Sequence, residues 1–226
     1  MPKPQLDISD IQALGFDVEE VLPRVFKIQN FITAEELAAL YDEATSYSNE
    51  SWSERYLAEM RKNSLEKFGR DDIENLEAEG LLEVTHDFAD KDHAVGNFDL
   101  VQVMIKRLQS IFNSFDEGLQ VAGFNTYQRM YEGASLIVHF DQYSDKAIEY
   151  AAVLYLNNDY TEGALFLDNF NAEFNPDPGT LMLFPGAELY MHGVREVGPG
   201  PTRYVMPTFI RRVNPDGPMS GWANFG

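Results

Sequence analysis

The sequence predicts an α+β protein, with helices in its first part and a mainly β core in its second. Before about Asp116, apolar residues recur at helical spacing behind capping residues. After it, short runs of β-branched and aromatic residues alternate with Gly, Pro and Asn-Asp. Many closely spaced strands are typical of a sandwich or jelly roll. The 226 residues, 44% of them hydrophobic, are enough for one globular domain.

The predicted helices all begin before Asp116. Thr33 and Glu36 form a capping-box pattern ahead of an amphipathic helical stripe. Asn97 is the predicted cap of the last helix, which carries apolar residues on one face. Besides the helix after Thr33, helices are expected at Ser53–Phe68, at residues 71–80 and at residues 98–115. Between them, the polar segment His86–Asn97 is predicted to be a solvated loop or a lid over the active site. A second metal site in this segment is the less favoured alternative.

The predicted strands follow in close succession. They are expected at Leu119–Tyr131, Leu136–Asp141, Ala147–Asn157, Ala164–Asn169, Glu173–Asn175, Thr180–Pro185, Tyr190–Val197 and Tyr204–Arg212. We therefore expect a single catalytic domain over residues 1–226. Its parts are a helical support region at about 1–116, a β core at 117–213 and a Gly/Pro-rich tail at 214–226.

Composition narrows the class of protein. The net charge of −20 argues against a broad basic surface, so nucleic acid is not the expected partner. The sequence has no apolar run of about 18 residues and no basic, then apolar, N-terminal signal. We expect no membrane span and a cytoplasmic location. Without cysteine, disulfides and thiolate metal sites are excluded.

His139, Asp141 and His192 form the most informative pattern in the chain. Two imidazoles and one carboxylate can occupy one face of an octahedral metal, as in non-haem Fe(II) oxygenases. His139 and Asp141 are separated by one residue and would project to the same face of a strand. His192 follows 51 residues after Asp141 and must come from another strand.

Longer motifs surround these three residues in a recognisable order. They are "YEGASLIVHFD", "VLYLNNDYTEGALFL", "NPDPGTLMLFPG" and "HGVREVGPGPTRYVMPTFI". From Tyr127 to Arg212 the chain resembles the prolyl 4-hydroxylase-like branch of the 2-oxoglutarate- and Fe(II)-dependent dioxygenases. The resemblance implies a double-stranded β-helix whose larger sheet is supported by helices. It also implies Fe(II) and 2-oxoglutarate as cofactors, with ascorbate as an accessory.

The resemblance further implies an activity and a set of cofactor-binding residues. The expected reaction is hydroxylation of a C–H bond, with succinate and CO2 released and a prolyl residue of a protein or peptide as substrate. Arg203 would bind the distal carboxylate of 2-oxoglutarate with two parallel hydrogen bonds, with Arg195 as the lower-ranked alternative. Tyr131 matches a tyrosine that lines the cofactor pocket. Tyr155 lies beside this pocket unless Leu154 takes the inward position.

One departure from the family pattern affects the expected substrate. The family often has Gly-Gly-x-Thr where this chain has Glu162-Gly163-Ala164-Leu165, so a hydroxyl is missing. A hydroxylase of a free amino acid or another small molecule is therefore an alternative. A second alternative is a cupin-like metal-binding module or a metal-dependent isomerase that performs no oxidation. Such a protein would not need Arg203, because it binds no dicarboxylate cofactor. A catalytically silent interaction domain is a third, which the intact metal pattern disfavours.

Overall fold

The computed structural model describes residues 6–52, 91–96, 98–122 and 126–213. Within them the helices are α1 Ile8–Gln12, α2 Ala34–Ser46, α3 Phe98–Asn113 and α4 Asp141–Ser144. The strands are β1 Asp17–Leu22, β2 Val25–Gln29, β3 Lys91–Val95, β4 Leu119–Ala122, β5 Thr126–Met130, β6 Leu136–His139, β7 Ile148–Tyr155, β8 Leu165–Leu167, β9 Ala172–Phe174, β10 Leu181–Pro185, β11 His192–Val194 and β12 Arg203–Arg212. Short 3-10 turns lie at Asn49–Ser51, Asp168–Phe170 and Glu188–Tyr190.

The strands form two antiparallel sheets. The large sheet has the order β1-β2-β10-β7-β12-β5-β3, with β4 also paired to β12. The small sheet has the order β6-β11-β8-β9. Side chains from both sheets share a buried cluster, so the sheets pack face to face. This is the mainly β core that the sequence predicts.

Strand β7 shows how the large sheet separates two cores. Its Ala152 and Leu154 lie in the cluster shared with α2 and α3, whereas Ala151 and Tyr155 lie in the cluster between the sheets. The alternation follows from the period of two along a strand. Because both faces of the sheet are covered, the sequence of β7 is almost entirely apolar. The helices support the outer face of the large sheet, and the inner face is left for a site.

The capping box of α2 is present as predicted. The Thr33 hydroxyl accepts from the Glu36 backbone N–H at 3.2 Å, and the Glu36 carboxylate accepts from the Thr33 N–H at 2.8 Å. Arg107 of α3 donates to both Glu36 oxygens and to the Phe31 carbonyl. The two supporting helices are thus linked by one guanidinium–carboxylate pair.

The region predicted as helical also contributes three strands. β1 and β2 form a hairpin at one edge of the large sheet, and β3 pairs with β5 at the other. Residues 91–95 of the expected loop His86–Asn97 are therefore a strand. The predicted helices at Ser53–Phe68 and 71–80, the cap Asn97, residues 86–90 and the tail 214–226 lie outside the described residues.

In the described part of the chain, none of the helices combines the length and the apolar character needed to cross a membrane.

Candidate metal centre

Strand pairing brings the two histidines of the predicted site together. β11 runs antiparallel to β6 with His192 directly opposite His139, and the two ring centroids are 4.4 Å apart. Gly193 permits this close approach, since a Cβ there would lie 2.5 Å from the Leu136 carbonyl oxygen. Any larger residue at position 193 would push β11 away from β6 and separate the imidazoles.

Asp141 joins the histidines from the start of α4. The expected strand ends at His139 and Asp141 begins a helical turn, but Phe140 between them is extended. The spacing of two therefore still places both side chains together. Asp141 Oδ1 lies 4.0 Å from His139 Nε2, and its Oδ2 lies 3.9 Å from His192 Nε2.

The three donor atoms lie within 4.8 Å of one another, and theirs is the one such group of His, Cys, Asp or Glu found among the described residues. Imidazole and carboxylate donors in this number fit a divalent iron and leave further coordination positions open. Asp141 and His192 are buried, whereas the His139 side chain is 28% exposed. The open side of the site therefore lies towards His139.

Backbone carbonyls orient both imidazoles. The Nδ1 atom of His139 is 2.9 Å from the Ile137 carbonyl, and that of His192 is 3.0 Å from the Tyr190 carbonyl. A carbonyl can only accept, so each Nδ1 carries the proton and each Nε2 presents its lone pair towards Asp141. Such outer hydrogen bonds fix the ring orientation of metal ligands. The ring of Phe184 packs edge-on against His192 at 4.7 Å and restricts it further.

Arg203 is the largest fully buried side chain, with 1% of its surface exposed. Its guanidinium contacts the Met130 sulfur at 3.6 Å and donates to the Tyr155 hydroxyl at 3.4 Å, while Nε has no hydrogen-bond partner in the segments that the structure describes. Among the described residues no carboxylate forms an ion pair with it. A buried cation without an anion is costly. The site is therefore suited to a carboxylate brought by a ligand, such as 2-oxoglutarate.

Tyr155 takes the inward position that the sequence left open. Tyr155 lies between the sheets with its ring 5.2 Å from the Arg203 guanidinium, whereas Leu154 faces the helices. Burial raises the pKa of Tyr155 to about 12, although Arg203 acts in the opposite direction. At neutral pH the phenol keeps its proton, and it can donate to a ligand while accepting from Arg203.

Tyr131 and Arg195, the other candidates for the cofactor pocket, are both more exposed than Arg203. Tyr131 is just beyond the end of β5 and 42% exposed, with its ring 4.8 Å from the Arg129 guanidinium. It is Met130, one residue earlier, that contacts Arg203. Arg195 is half exposed and forms an ion pair with Glu173 at 2.7 Å. Of the two candidate arginines, only Arg203 offers a buried guanidinium without a carboxylate partner.

Sequence reasoning missed Tyr160, which lies on the loop between β7 and β8. Its ring is 5.8 Å from the Arg203 guanidinium, and within the described part of the chain its buried hydroxyl has no hydrogen-bond partner. An aromatic residue five positions after Tyr155 carries no periodic signal in a loop. Only the path of the loop across the end of the core reveals the contact.

Comparison with known proteins agrees with this geometry. Residues 123–211 match the model of the 2OG-Fe(II) oxygenase superfamily, which confirms the predicted resemblance. The match implies Fe(II) and 2-oxoglutarate as cofactors, with His139, Asp141 and His192 as the candidate iron site. No curated protein sequence matches the chain significantly.

Solved structures resemble the chain at low sequence identity. The collagen prolyl hydroxylase of Paramecium Bursaria Chlorella virus-1, in its 2-oxoglutarate complex, is 16% identical with a TM-score of 0.54, and the match covers 84% of this chain and 97% of that one. A truncated form of it is 14% identical with a TM-score of 0.51, covering 85% and 91%. A Pseudomonas putida prolyl-4-hydroxylase is 16% identical with a TM-score of 0.49, covering 84% and 92%. The viral enzyme's likeness confirms the predicted double-stranded β-helix.

Proposed function

We propose that this chain, whose residues 123–211 match the 2OG-Fe(II) oxygenase superfamily, is a hydroxylase that uses Fe(II) and 2-oxoglutarate. One observation carries the proposal. The two-histidine, one-carboxylate cluster occurs in a protein that also holds a buried guanidinium without an acidic partner among the described residues. A metal-binding module that performs no oxidation would not need the buried guanidinium of Arg203, because such a module binds no dicarboxylate.

Each of these side chains has a distinct part in the proposed reaction. His139, Asp141 and His192 hold the iron through two Nε2 atoms and one carboxylate. Arg203 and Tyr155 bind the distal carboxylate of 2-oxoglutarate in a region from which water is excluded. When bound, iron and 2-oxoglutarate supply the oxidation, in which O2 converts 2-oxoglutarate to succinate and CO2 and a substrate C–H becomes C–OH. The protein itself needs no acid or base and acts by positioning.

We take a prolyl residue of a protein or peptide as the substrate. The support is the sequence resemblance to prolyl 4-hydroxylases, together with the structural likeness to a viral collagen prolyl hydroxylase. The open side of the site at His139 leaves room for a chain to approach the iron. A free amino acid or another small molecule is the second candidate, because Leu165 stands where the family often has threonine.

The catalytic unit is proposed to span residues 1–226 as one domain. The first half of the chain contributes β1 and β2 to the large sheet, and α2 and α3 cover its outer face. Val25 of β2 also reaches the cluster between the sheets, where Tyr155 lies. Removing the first half would uncover the outer face of the large sheet and take Val25 out of the cluster between the sheets, which supports treating it as part of the same unit.

Anaerobic titration of the Fe(II)-loaded protein with 2-oxoglutarate tests the proposed function. We expect a visible metal-to-ligand charge-transfer band, because 2-oxoglutarate would bind the iron through its keto oxygen and a carboxylate. His192→Ala should abolish the band, whereas Tyr41→Phe, in the helix-facing cluster, should retain it. Absence of the band in folded, metallated protein would favour the non-oxidising metal module.

The substrate requires a separate assay. Proline-containing peptides incubated with the enzyme, O2 and 2-oxoglutarate should gain one oxygen atom by mass spectrometry, with one succinate formed per oxygen added. Succinate formation that free amino acids stimulate and peptides do not would instead favour the small-molecule alternative.

A further inference from the structure

Tyr160 is a buried polar residue that the proposed reaction does not yet use. It is 8% exposed, and its buried hydroxyl has no hydrogen-bond partner among the residues that the structure describes. A buried phenol normally has such a partner, because leaving it unpaired costs free energy. Its ring lies 5.8 Å from the guanidinium of Arg203, whose Nε is also unpaired. Two residues that each carry an unsatisfied polar group are therefore neighbours in the core.

Tyr160 also lines a surface cavity. The cavity has a volume of about 190 Å³ and is lined by Asn158, Tyr160, Glu162 and Asn175. Tyr160 therefore contacts the buried guanidinium and also lines this cavity, so its ring is a neighbour of both. Glu162 gives the outer cavity an acidic group.

The loop that carries Tyr160 is firmly held. Asn157 donates to the Thr202 carbonyl at 2.8 Å and accepts from the Tyr204 backbone N–H at 2.8 Å, so it joins the loop to both neighbours of Arg203. Gly163 has a φ of +62°, and a Cβ there would lie 3.4 Å from the Tyr160 ring. The ring position relative to Arg203 is therefore set by the backbone.

Tyr155 completes a set of donors around Arg203. Its ring lies 5.2 Å from the Arg203 guanidinium, and the Tyr160 ring lies 5.8 Å from the same group. A carboxylate offers about four lone-pair sites, and a guanidinium can occupy two of them. Two neutral phenols can donate to the rest.

We propose that Tyr160 determines which 2-oxo acid this enzyme accepts. Its hydroxyl donates to the distal carboxylate of 2-oxoglutarate beside Arg203, and its ring closes the pocket against the cavity. The pocket then fits a five-carbon dicarboxylate and excludes 2-oxoadipate, which is longer by one methylene. The inference rests on the proposed function, because it concerns the same cofactor pocket.

Two substitutions separate the hydroxyl from the ring, and calorimetric titration of the anaerobic Mn(II)-loaded protein measures both effects without turnover. Tyr160→Phe should weaken 2-oxoglutarate binding about tenfold, as expected for losing one hydrogen bond to a charged group. Tyr160→Ala should open the pocket into the cavity and raise the affinity for 2-oxoadipate relative to 2-oxoglutarate at least about tenfold. Tyr41→Phe, in the helix-facing cluster, should leave both affinities unchanged.

The outcomes distinguish this inference from the proposed function. If wild-type protein binds Mn(II) but no 2-oxoglutarate, the proposed function fails, and the role of Tyr160 fails with it. If wild type binds 2-oxoglutarate and Tyr160→Phe binds it equally well, the hydroxyl has no such role. An unchanged preference in folded Tyr160→Ala overturns the length selection. Should Tyr160→Ala not fold, Tyr160→Leu, which keeps some apolar volume, decides the same question.

Discussion

Asp141 is the single acidic ligand of the candidate iron site, and it is 5% exposed. Asp141→Ala should lower the affinity for Fe(II) by at least ~100-fold and abolish turnover, since even outer-sphere partners of ligands contribute ~10–100-fold. Metal content after dialysis and succinate production measure the two effects. Asp168→Ala, which removes an exposed acid beyond β8, is the matched control. An Asp141→Ala enzyme that keeps full iron occupancy and activity would refute the metal assignment.

Arg203 and Arg195 differ most in what surrounds them. Arg203→Ala should raise the Kd for 2-oxoglutarate ~30-fold or more, because removing one partner of a buried charge pair costs about 2–5 kcal/mol. Arg195→Ala should have little effect, since that guanidinium is already paired with Glu173 at the surface. Anaerobic titration of both variants measures the difference. Equal Kd values for Arg203→Ala and wild type would place the carboxylate elsewhere.

At the residue scale, the sequence predicted whatever depended on local spacing. The side chains of His139 and Asp141 converge because one extended residue separates them. His192 joins them because its motif lies on a strand that pairs with the strand of His139. Residue spacing could not show which of two adjacent residues at the end of a strand faces the space between the sheets. Tyr131 lies just beyond β5 and Met130 lies inside it, so the sequence predicted the contact of Tyr155 with Arg203 but not that of Met130.

At the element scale, Glu36 links α2 and α3. The pKa of Glu36 lies below its ordinary value of 4.5, mainly because Arg107 donates to the carboxylate and also because Thr33 does. A carboxyl group with a lowered folded-state pKa contributes stability that is present above about pH 4.5 and is lost as pH falls through the folded pKa. Glu36→Gln should therefore destabilise the protein by about 1 kcal/mol at pH 7 and by much less near pH ~3.

Urea denaturation at the two pH values tests this link between helices. Glu35→Gln is the matched control, because Glu35 lies in the same first turn of α2 but is exposed and outside the Arg107 pair. At pH 7, Glu35→Gln should lower the free energy of unfolding by less than Glu36→Gln does. An equal loss at both pH values for Glu36→Gln would mean that the ion pair contributes nothing and that the cap geometry alone matters.

The elements that the sequence missed lack local signals. β1 and β2 are joined by Pro23 and Arg24, and Arg24 has a φ of +63° where hairpins usually have Gly or Asn. β3, "KDHAV", is polar and exists through its pairing with β5, far away in sequence. By contrast, the α2 cap was predictable because it is complete within four residues. Long-range pairing is what the sequence did not reveal.

At the scale of the whole molecule, acidic residues outnumber basic ones by 37 to 17. Several basic residues are also committed to neighbours, such as Arg211 to Asp145 and Arg212 to both Asp116 and Glu149. The long-range field is therefore negative, although the cofactor pocket is locally positive at Arg203. The proposed cofactor is a dianion, so it must approach against the field of the molecule and is attracted only at short range.

This opposition predicts an unusual salt dependence of cofactor binding. Raising the ionic strength from ~10 mM to ~100 mM shortens the screening length from about 30 Å to about 10 Å, which weakens the long-range repulsion more than the contact with Arg203. The association rate of 2-oxoglutarate should therefore rise several-fold, whereas steered binding of an attracted ligand would slow. Stopped-flow absorbance of the anaerobic Fe(II) protein measures this rate, and binding of uncharged nitric oxide to the same iron is the control. A rate that falls with salt would show that the positive charge of Arg203 and the metal governs the approach, and that the net charge of −20 lies mainly on surfaces far from the site.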